Sequence, residues 1–180
     1  MTRRFRPTDA FVDESIRGQR YLMACVVVDA RNLVEVRRSM TAFAGVGKRL
    51  HFHQELDSAR RGALDVIAAL PVQVTVAVCT RRHGVSEFEA RDLCLAALVR
   101  QLQSHAVLRL IIETRQDDRD DHRTILRTRE AEPTLSFEHR SGSDEPILWV
   151  ADAVAWAYGA GQRWSSLARP VVHHVIELAP

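Results

Sequence analysis

One apolar segment, residues 147–159, limits how this chain can fold. Its sequence, ILWVADAVAWAYG, is that of a helix buried on most sides, and Asp152 is its only charged residue. Burial of an unpaired carboxylate is energetically costly. Asp152 therefore needs a partner, which is an arginine, a cluster of backbone donors, or a metal ion shared with other carboxylates.

Hydrophobic strands alternate with amphipathic helices along the rest of the chain. The first two strands, residues 10–12 and 21–29, are close enough to form an antiparallel hairpin, with an acidic turn after the first. This order predicts an α/β fold, a mixed β-sheet flanked by α-helices, in a single domain of residues 1–180. Further strands are predicted at 50–54, 72–79, 106–112, 135–139 and 171–178, and helices at 33–43, 56–70, 86–104, from Asp117 or Asp118 to about 130, and around Asp152.

The basic side chains are almost all arginine. Lys48 is the only lysine among 25 basic residues, and the formal net charge is +2. Codon bias in a GC-rich genome accounts for such a skew, although arginine also suits bidentate contact with phosphate. The composition is therefore compatible with a nucleic-acid partner without requiring one.

Compartment and membrane contact follow from cysteines and hydropathy. Cys25, Cys79 and Cys94 are odd in number and lack the spacing of metal or redox motifs, as is typical of reduced cytosolic thiols. There is no apolar stretch of signal-peptide type after the first arginines and none of transmembrane length. We expect a soluble, cytoplasmic protein with no membrane partner.

Carboxylates stand at three positions that a fold of this class can bring together. Asp13 and Glu14 close the first strand, Glu113 closes a hydrophobic strand, and Asp152 interrupts the apolar helix. Mg²⁺ and Mn²⁺ bind clusters of hard oxygen ligands, and such ions activate water in phosphodiester cleavage. We predict Mg²⁺ or Mn²⁺ bound by Asp13, Glu113 and Asp152, with Glu14 as a neighbouring or additional ligand. The alternatives are a turn residue at Asp13, a solvated strand end at Glu113, and an Asp–Arg pair at Asp152.

Two histidines form a second candidate group. If residues 50–54 are extended, His51 and His53 point to one face, because side chains alternate along a strand. Either could be a metal ligand, a proton shuttle or a phosphate contact; the alternative is an exposed polar edge. By contrast, the acidic run 117–121 is predicted to be a solvated helix start, and Trp149, Trp156 and Trp164 are predicted to be core residues.

Four short motifs resemble one family in the same order along the chain. They are FVDES at 11–15, LHFH at 50–53, IIE at 111–113 and WVADAVAW at 149–156. The chain is similar in these motifs to the domain-of-unknown-function family 3800, a set of mostly bacterial and phage proteins. The resemblance implies a ribonuclease-H-like fold, with Asp13, Glu113 and Asp152 as the acidic residues and His51 as the histidine of the middle motif.

Two departures from the family pattern leave the activity open. Ile16 stands where the family usually has glycine, and Glu113 stands where aspartate is more common. The first hypothesis is a metal-dependent nuclease acting on DNA or RNA, with His51 or His53 assisting proton transfer. The second is a module on the same fold that binds nucleic acid or a protein without catalysis, and the third is a metal-dependent phosphohydrolase acting on nucleotides.

Overall fold

A mixed β-sheet forms the centre of the molecule. The computed structural model describes residues 5–45, 47–115 and 118–180. Within them the strand order is β5-β4-β1-β2-β3-β6. Strand β2 is antiparallel to its neighbours β1 and β3, β4 and β5 continue parallel to β1, and β6 is parallel to β3. The strands are β1 (Pro7–Arg17), β2 (Arg20–Asp29), β3 (Val72–Thr80), β4 (Arg109–Glu113), β5 (Ser136–Arg140) and β6 (Val172–Leu178).

Helices cover both faces of this sheet. Four of them pack on one side, here called the α5 face, and two on the other, here called the α3 face. The α5 face carries α1 (Leu33–Ala44), α2 (Asp57–Ala68), α5 (Leu148–Gly159) and α6 (Gln162–Ala168), and the α3 face carries α3 (Glu87–Ser104) and α4 (Arg119–Thr128). The predicted α/β class, with a mixed sheet between helices, is confirmed.

The first hairpin forms as predicted, but its first strand is longer than predicted. Strand β1 continues through Asp13 and Glu14, which pair with Ala24 and Met23 of β2, so neither lies in an acidic turn. The reversal comes at Gly18, whose φ of 58° lies in the left-handed region that glycine adopts readily. Pairing with β2, which continues to Arg17, extends β1 beyond its apolar segment.

Alternation along β1 decides which face each acidic residue joins. Phe11 packs in the core of the α5 face and Val12 in that of the α3 face. Because successive side chains of a strand point to opposite faces, Asp13 lies on the same face as Phe11, and Glu14 lies on the same face as Val12. Strand β4 lies parallel to β1 with Val12 opposite Ile112, which places Glu113 next to Asp13 on the α5 face.

Residues 50–54 do not form the predicted strand. They contain a short 3₁₀ turn, Phe52–Gln54, preceded by His51. Phe52 is fully buried, and its ring lies 5.2 Å from that of Trp156 on α5. This contact ties the segment to the helix rather than to a strand edge, so alternation no longer aligns His51 with His53.

The remaining differences from the predicted elements are small. Helix α6 was not predicted, and α4 begins at Arg119, whereas the proposed cap Asp117 lies outside the described residues. The three tryptophans are buried, as predicted: Trp149, Trp156 and Trp164. Among the helices that the structure describes, none has the combination of length and hydropathy required to cross a bilayer.

Candidate metal centre

Three acidic side chains converge on the α5 face. Asp13 comes from β1, Glu113 from the neighbouring β4, and Asp152 from the helix that packs over them. The side chain of Glu113 lies within hydrogen-bond reach of Asp13, and the charges of both Glu113 and Asp152 act on Asp13. The structure therefore brings together the three residues that the sequence singles out as metal ligands.

This convergence makes ionisation unfavourable. Burial, followed by the charges of Glu113, Glu14 and Asp152, raises the pKa of Asp13 well above its usual value. Burial also raises the pKa of Asp152 to about 6, and the charge of Glu113 adds to that rise. Carboxyl groups whose pKa values rise in this way lack sufficient positive charge around them.

Asp152 has a backbone partner instead of an arginine. Its Oδ2 accepts a hydrogen bond from the backbone N–H of Phe52 at 3.1 Å. In the described part of the chain, no lysine or arginine nitrogen lies within ion-pair distance of this carboxylate. Arg60 holds the donor segment in place, with its guanidinium donating to the backbone oxygens of Phe52 at 3.0 Å and of His53 at 2.7 Å.

Glu113 is paired with a cation of the chain. The guanidinium of Arg49 donates a hydrogen bond to its Oε1. Gly142, after β5, leaves space for the pair, because a Cβ there would lie 2.6 Å from Arg49 Nη2 and 2.9 Å from Glu113 Oε1. The Gly142 carbonyl accepts a hydrogen bond from the Trp149 indole N–H at 2.6 Å, which fixes this loop against α5.

Both histidines lie beside the carboxylates. His51 is half-buried and His53 is exposed, with their ring centroids 6.3 Å apart. Burial and the charges of Arg49 and His53 lower the pKa of His51. His51 therefore favours its neutral form, which can accept a proton or bind a metal.

Glu14 lies on the α3 face, away from the other carboxylates. The expectation that it could be an additional ligand is therefore wrong. Its Oε2 is 2.7 Å from a guanidinium nitrogen of Arg91 on α3, and its Oε1 is 3.2 Å from Arg115. Strand alternation explains the separation from Asp13, because adjacent residues of β1 point to opposite faces. Its charge still acts on Asp13 across the strand.

A second, more compact group contains Asp118, Asp121 and His139. One ligand atom from each lies within 4.8 Å of the others. Asp121 is buried and receives hydrogen bonds of 2.7 and 2.6 Å from Arg91. The prediction of a solvated helix start is thus wrong for Asp121, whose environment is determined by an arginine 30 residues earlier.

The two groups differ in how their charge is neutralised. Burial alone would raise the pKa of Asp121, but hydrogen bonds from Arg91 and His139 outweigh it and lower that pKa. Asp13 and Asp152 have raised pKa values instead. Oxygens taken one from each of Asp13, Glu113 and Asp152 do not all lie within 4.8 Å of one another, a criterion that only the Asp118 group meets within the described residues.

Several site residues could not be found from the sequence. Arg49, Arg60 and Arg91 are three of many arginines, and no local pattern distinguishes them. Gly142 carries only the weak signal of a glycine between polar residues before the apolar helix. Their roles depend on contacts between segments distant along the chain.

No family model matches the chain, and no curated protein matches it significantly. Solved structures do resemble it. Ribonuclease H2 from Pyrococcus horikoshii OT3 has a TM-score of 0.52 at 14% identity, covering 88% of this chain and 74% of that one. The chain has a ribonuclease-H-like fold.

Two further structures with this fold are Bst-RNase HIII chains. The Mn²⁺ complex has a TM-score of 0.56 at 14% identity, covering 87% of this chain and 53% of that one. The Q54A mutant has a TM-score of 0.51 at 17% identity, covering 84% and 51%. The chain thus spans about half the length of these two proteins. At such identities the likeness establishes the ribonuclease-H-like fold alone, and membership of family 3800 stays a prediction.

Proposed function

We propose that the protein is a divalent-metal-dependent nuclease that hydrolyses phosphodiester bonds in nucleic acid. The observation that carries this proposal is the convergence of Asp13, Glu113 and Asp152, two of which have raised pKa values. Burial is the largest cause of these raised pKa values and repulsion between the carboxylates adds to it; a bound cation offsets both by stabilising the charged forms. The same three residues carry the resemblance to family 3800, in which we include the chain as part of the proposal.

The donor set fits Mg²⁺ or Mn²⁺. All three side chains offer carboxylate oxygens, the ligands that these hard ions prefer. The Asp118 group fits less well, because Asp121 already accepts two hydrogen bonds from Arg91. The Bst-RNase HIII structure with Mn²⁺ supports that ion as the first to test.

The chain's own residues have distinct tasks in this reaction. Bound metal would supply an activated water and stabilise the leaving oxygen. The Phe52 N–H holds the Asp152 carboxylate in one orientation at 3.1 Å. His51, with its lowered pKa, is suited to accept a proton near Glu113, and exposed His53 lies where it can contact a phosphate.

Asp152→Asn tests the proposal, with Asp65→Asn as a control because Asp65 is an exposed aspartate on α2. The wild type and the control should cleave labelled RNA or DNA in Mn²⁺ and lose activity in EDTA. Asp152→Asn should lose most activity under the same conditions. Equal cleavage by Asp152→Asn and wild type would contradict the proposal, as would turnover of nucleotides but not of polynucleotides.

One observation favours a second candidate, a module that binds nucleic acid or a protein without catalysis. Arg49 already supplies a positive charge to Glu113, and the three carboxylates are less compact than the Asp118 group. Calorimetry with Mn²⁺ separates the two candidates. No heat of binding at millimolar Mn²⁺, together with retained nucleic-acid binding, would favour the module.

A further inference from the structure

We infer that an arginine-rich surface next to the carboxylates binds the phosphate backbone of a nucleic acid. This inference builds on the proposed function, because it gives the substrate a path to the metal centre. We call it the arginine–tryptophan surface, and it consists of Arg17, Arg60, Arg61, Arg163, Trp156 and Trp164.

The surface begins one helical turn from the metal centre. Trp156 follows Asp152 by four residues on α5, a rise of about 6 Å along the helix. The guanidinium carbons of Arg17 and Arg60 lie 4.9 and 4.4 Å from the centroid of the Trp156 ring. Arg60 also bonds to the backbone of the segment that contains His53. The first two cations of the surface are therefore structurally linked to the carboxylates.

The surface continues across a second tryptophan. The rings of Trp156 and Trp164 lie 5.2 Å apart and nearly perpendicular. The guanidinium carbons of Arg61 and Arg163 are 5.5 and 5.2 Å from the Trp164 centroid. Both tryptophans are almost fully buried, whereas Arg17, Arg61 and Arg163 are exposed, so these arginines, and not the rings, are presented to a ligand. This arrangement favours phosphate contact over base stacking.

Positive charge on this surface is largely uncompensated. Asp57 is the carboxylate partner of Arg60 at 3.0 Å and of Arg163 at 3.7 Å. Within the described residues, Arg17 and Arg61 have no carboxylate at ion-pair distance. Four positive groups against one negative group leave a net charge of +3. A polyanion that binds such a surface gains affinity by releasing counterions.

The position of Arg17 depends on a glycine. Gly159 ends α5, and a Cβ there would lie 2.7 Å from Arg17 Cγ. The absence of a side chain lets the Arg17 stem cross the helix end so that its guanidinium reaches Trp156. The cation is thereby held in place before a ligand arrives, which reduces the entropy lost on binding.

The test is fluorescence anisotropy with a labelled DNA duplex in EDTA, so that neither metal binding nor cleavage contributes. Arg17→Gln/Arg61→Gln should bind on the order of tenfold more weakly than wild type at low salt. The slope of log K against log salt should become shallower by about 0.9 for each lost phosphate contact. Gly159→Ala, which keeps every charge but displaces Arg17, should weaken binding by a smaller factor.

The matched control is Arg100→Gln/Arg123→Gln, which removes two exposed charges from α3 and α4 on the opposite face. It should leave both the affinity and the salt slope near the wild-type values. The inference is overturned if the wild type does not bind the duplex, if both double variants lose affinity equally, or if the first double variant binds like wild type. Binding of polyglutamate but not of the duplex would also overturn it and indicate an acidic protein partner.

The duplex-binding test of the arginine–tryptophan surface can fail or succeed independently of the nuclease proposal. If Asp152→Asn and wild type are equally inactive while the arginine variants lose duplex binding, the surface stands and the nuclease fails. If Mn²⁺-dependent cleavage is found and the arginine variants cleave and bind normally, the nuclease stands and the surface fails.

Discussion

Arg49 donates a hydrogen bond to Glu113, so one of the three candidate metal ligands is already paired with a cation of the chain. Gly142 makes this possible, because a Cβ at that position would lie 2.6 Å from Arg49 Nη2. The guanidinium and a divalent ion would both draw on the negative charge of Glu113. Arg49 should therefore oppose metal binding.

Arg49→Gln should bind Mn²⁺ more tightly than wild type. Removing one positive charge beside the carboxylates should improve affinity by about three- to tenfold, since a partly exposed charge pair contributes about 1 kcal/mol. Isothermal titration calorimetry near neutral pH measures the change. Arg49→Lys keeps the charge and should stay close to wild type. Weaker Mn²⁺ binding by Arg49→Gln would mean that Arg49 supports the site instead of competing.

Asp152→Asn should stabilise the metal-free protein near neutral pH. Burial raises the pKa of Asp152 from 3.8 to about 6, so the folded protein holds a proton that the unfolded chain releases in this pH window. Stability therefore falls as pH rises through the window, and the loss is complete above about pH 6. Asparagine carries no charge but can still accept the Phe52 N–H. The expected gain is about 2 kcal/mol. Each pKa unit corresponds to about 1.36 kcal/mol, and the resulting free energy is reduced because the Asp152 side chain is partly exposed.

Urea denaturation at neutral and acidic pH measures this effect. The gain should disappear below about pH 4, where the carboxyl group is protonated in both states. Addition of Mn²⁺ should stabilise the wild type and not Asp152→Asn, because only a ligand that binds the folded state stabilises it. A variant that is less stable than wild type at neutral pH would show that Asp152 is already well compensated.

Glu14→Gln should separate Glu14 from the metal ligands. Its side chain lies on the α3 face with Arg91 and Arg115, so Mn²⁺ affinity should stay within about threefold of wild type, as expected for a charge acting at a distance. Asp13→Asn, one residue earlier, should abolish binding. Calorimetry on the two variants makes the comparison. Equal loss in both would place Glu14 among the ligands, which was one of the two roles predicted for it from the sequence.

The sequence predicts the convergence better than the details of the site. Asp152 was identifiable because a lone charge on an apolar helix is a strong local signal, and Asp13 and Glu113, each predicted to close a strand, were plausible partners. The face on which Glu14 lies was not identifiable. It depends on the extension of β1 past Val12, and that extension comes from pairing with β2. Pairing between distant segments leaves little trace in local periodicity.

The histidine segment shows the same limit. The pattern LHFH reads as a short strand, yet Phe52 is buried against Trp156 and Arg60 bonds to the backbone oxygens of Phe52 and His53. These long-range contacts favour a 3₁₀ turn over an extended strand. Tertiary contacts thus override a weak local preference, as they do for the burial of Asp121 by Arg91.

Arg91→Met should be strongly destabilising. Arg91 is buried, bonds twice to Asp121, and pairs with Glu14 at 2.7 Å, so its removal leaves two acidic groups without their main partner. Breaking a buried pair by removing one side typically costs about 3–5 kcal/mol. Chemical denaturation measures this loss.

Arg91→Met/Asp121→Leu removes the central pair together and should recover part of the stability, because an apolar replacement of a buried ion pair is often tolerated. A double variant less stable than the sum of both single variants would show instead that this network cannot be replaced by apolar packing.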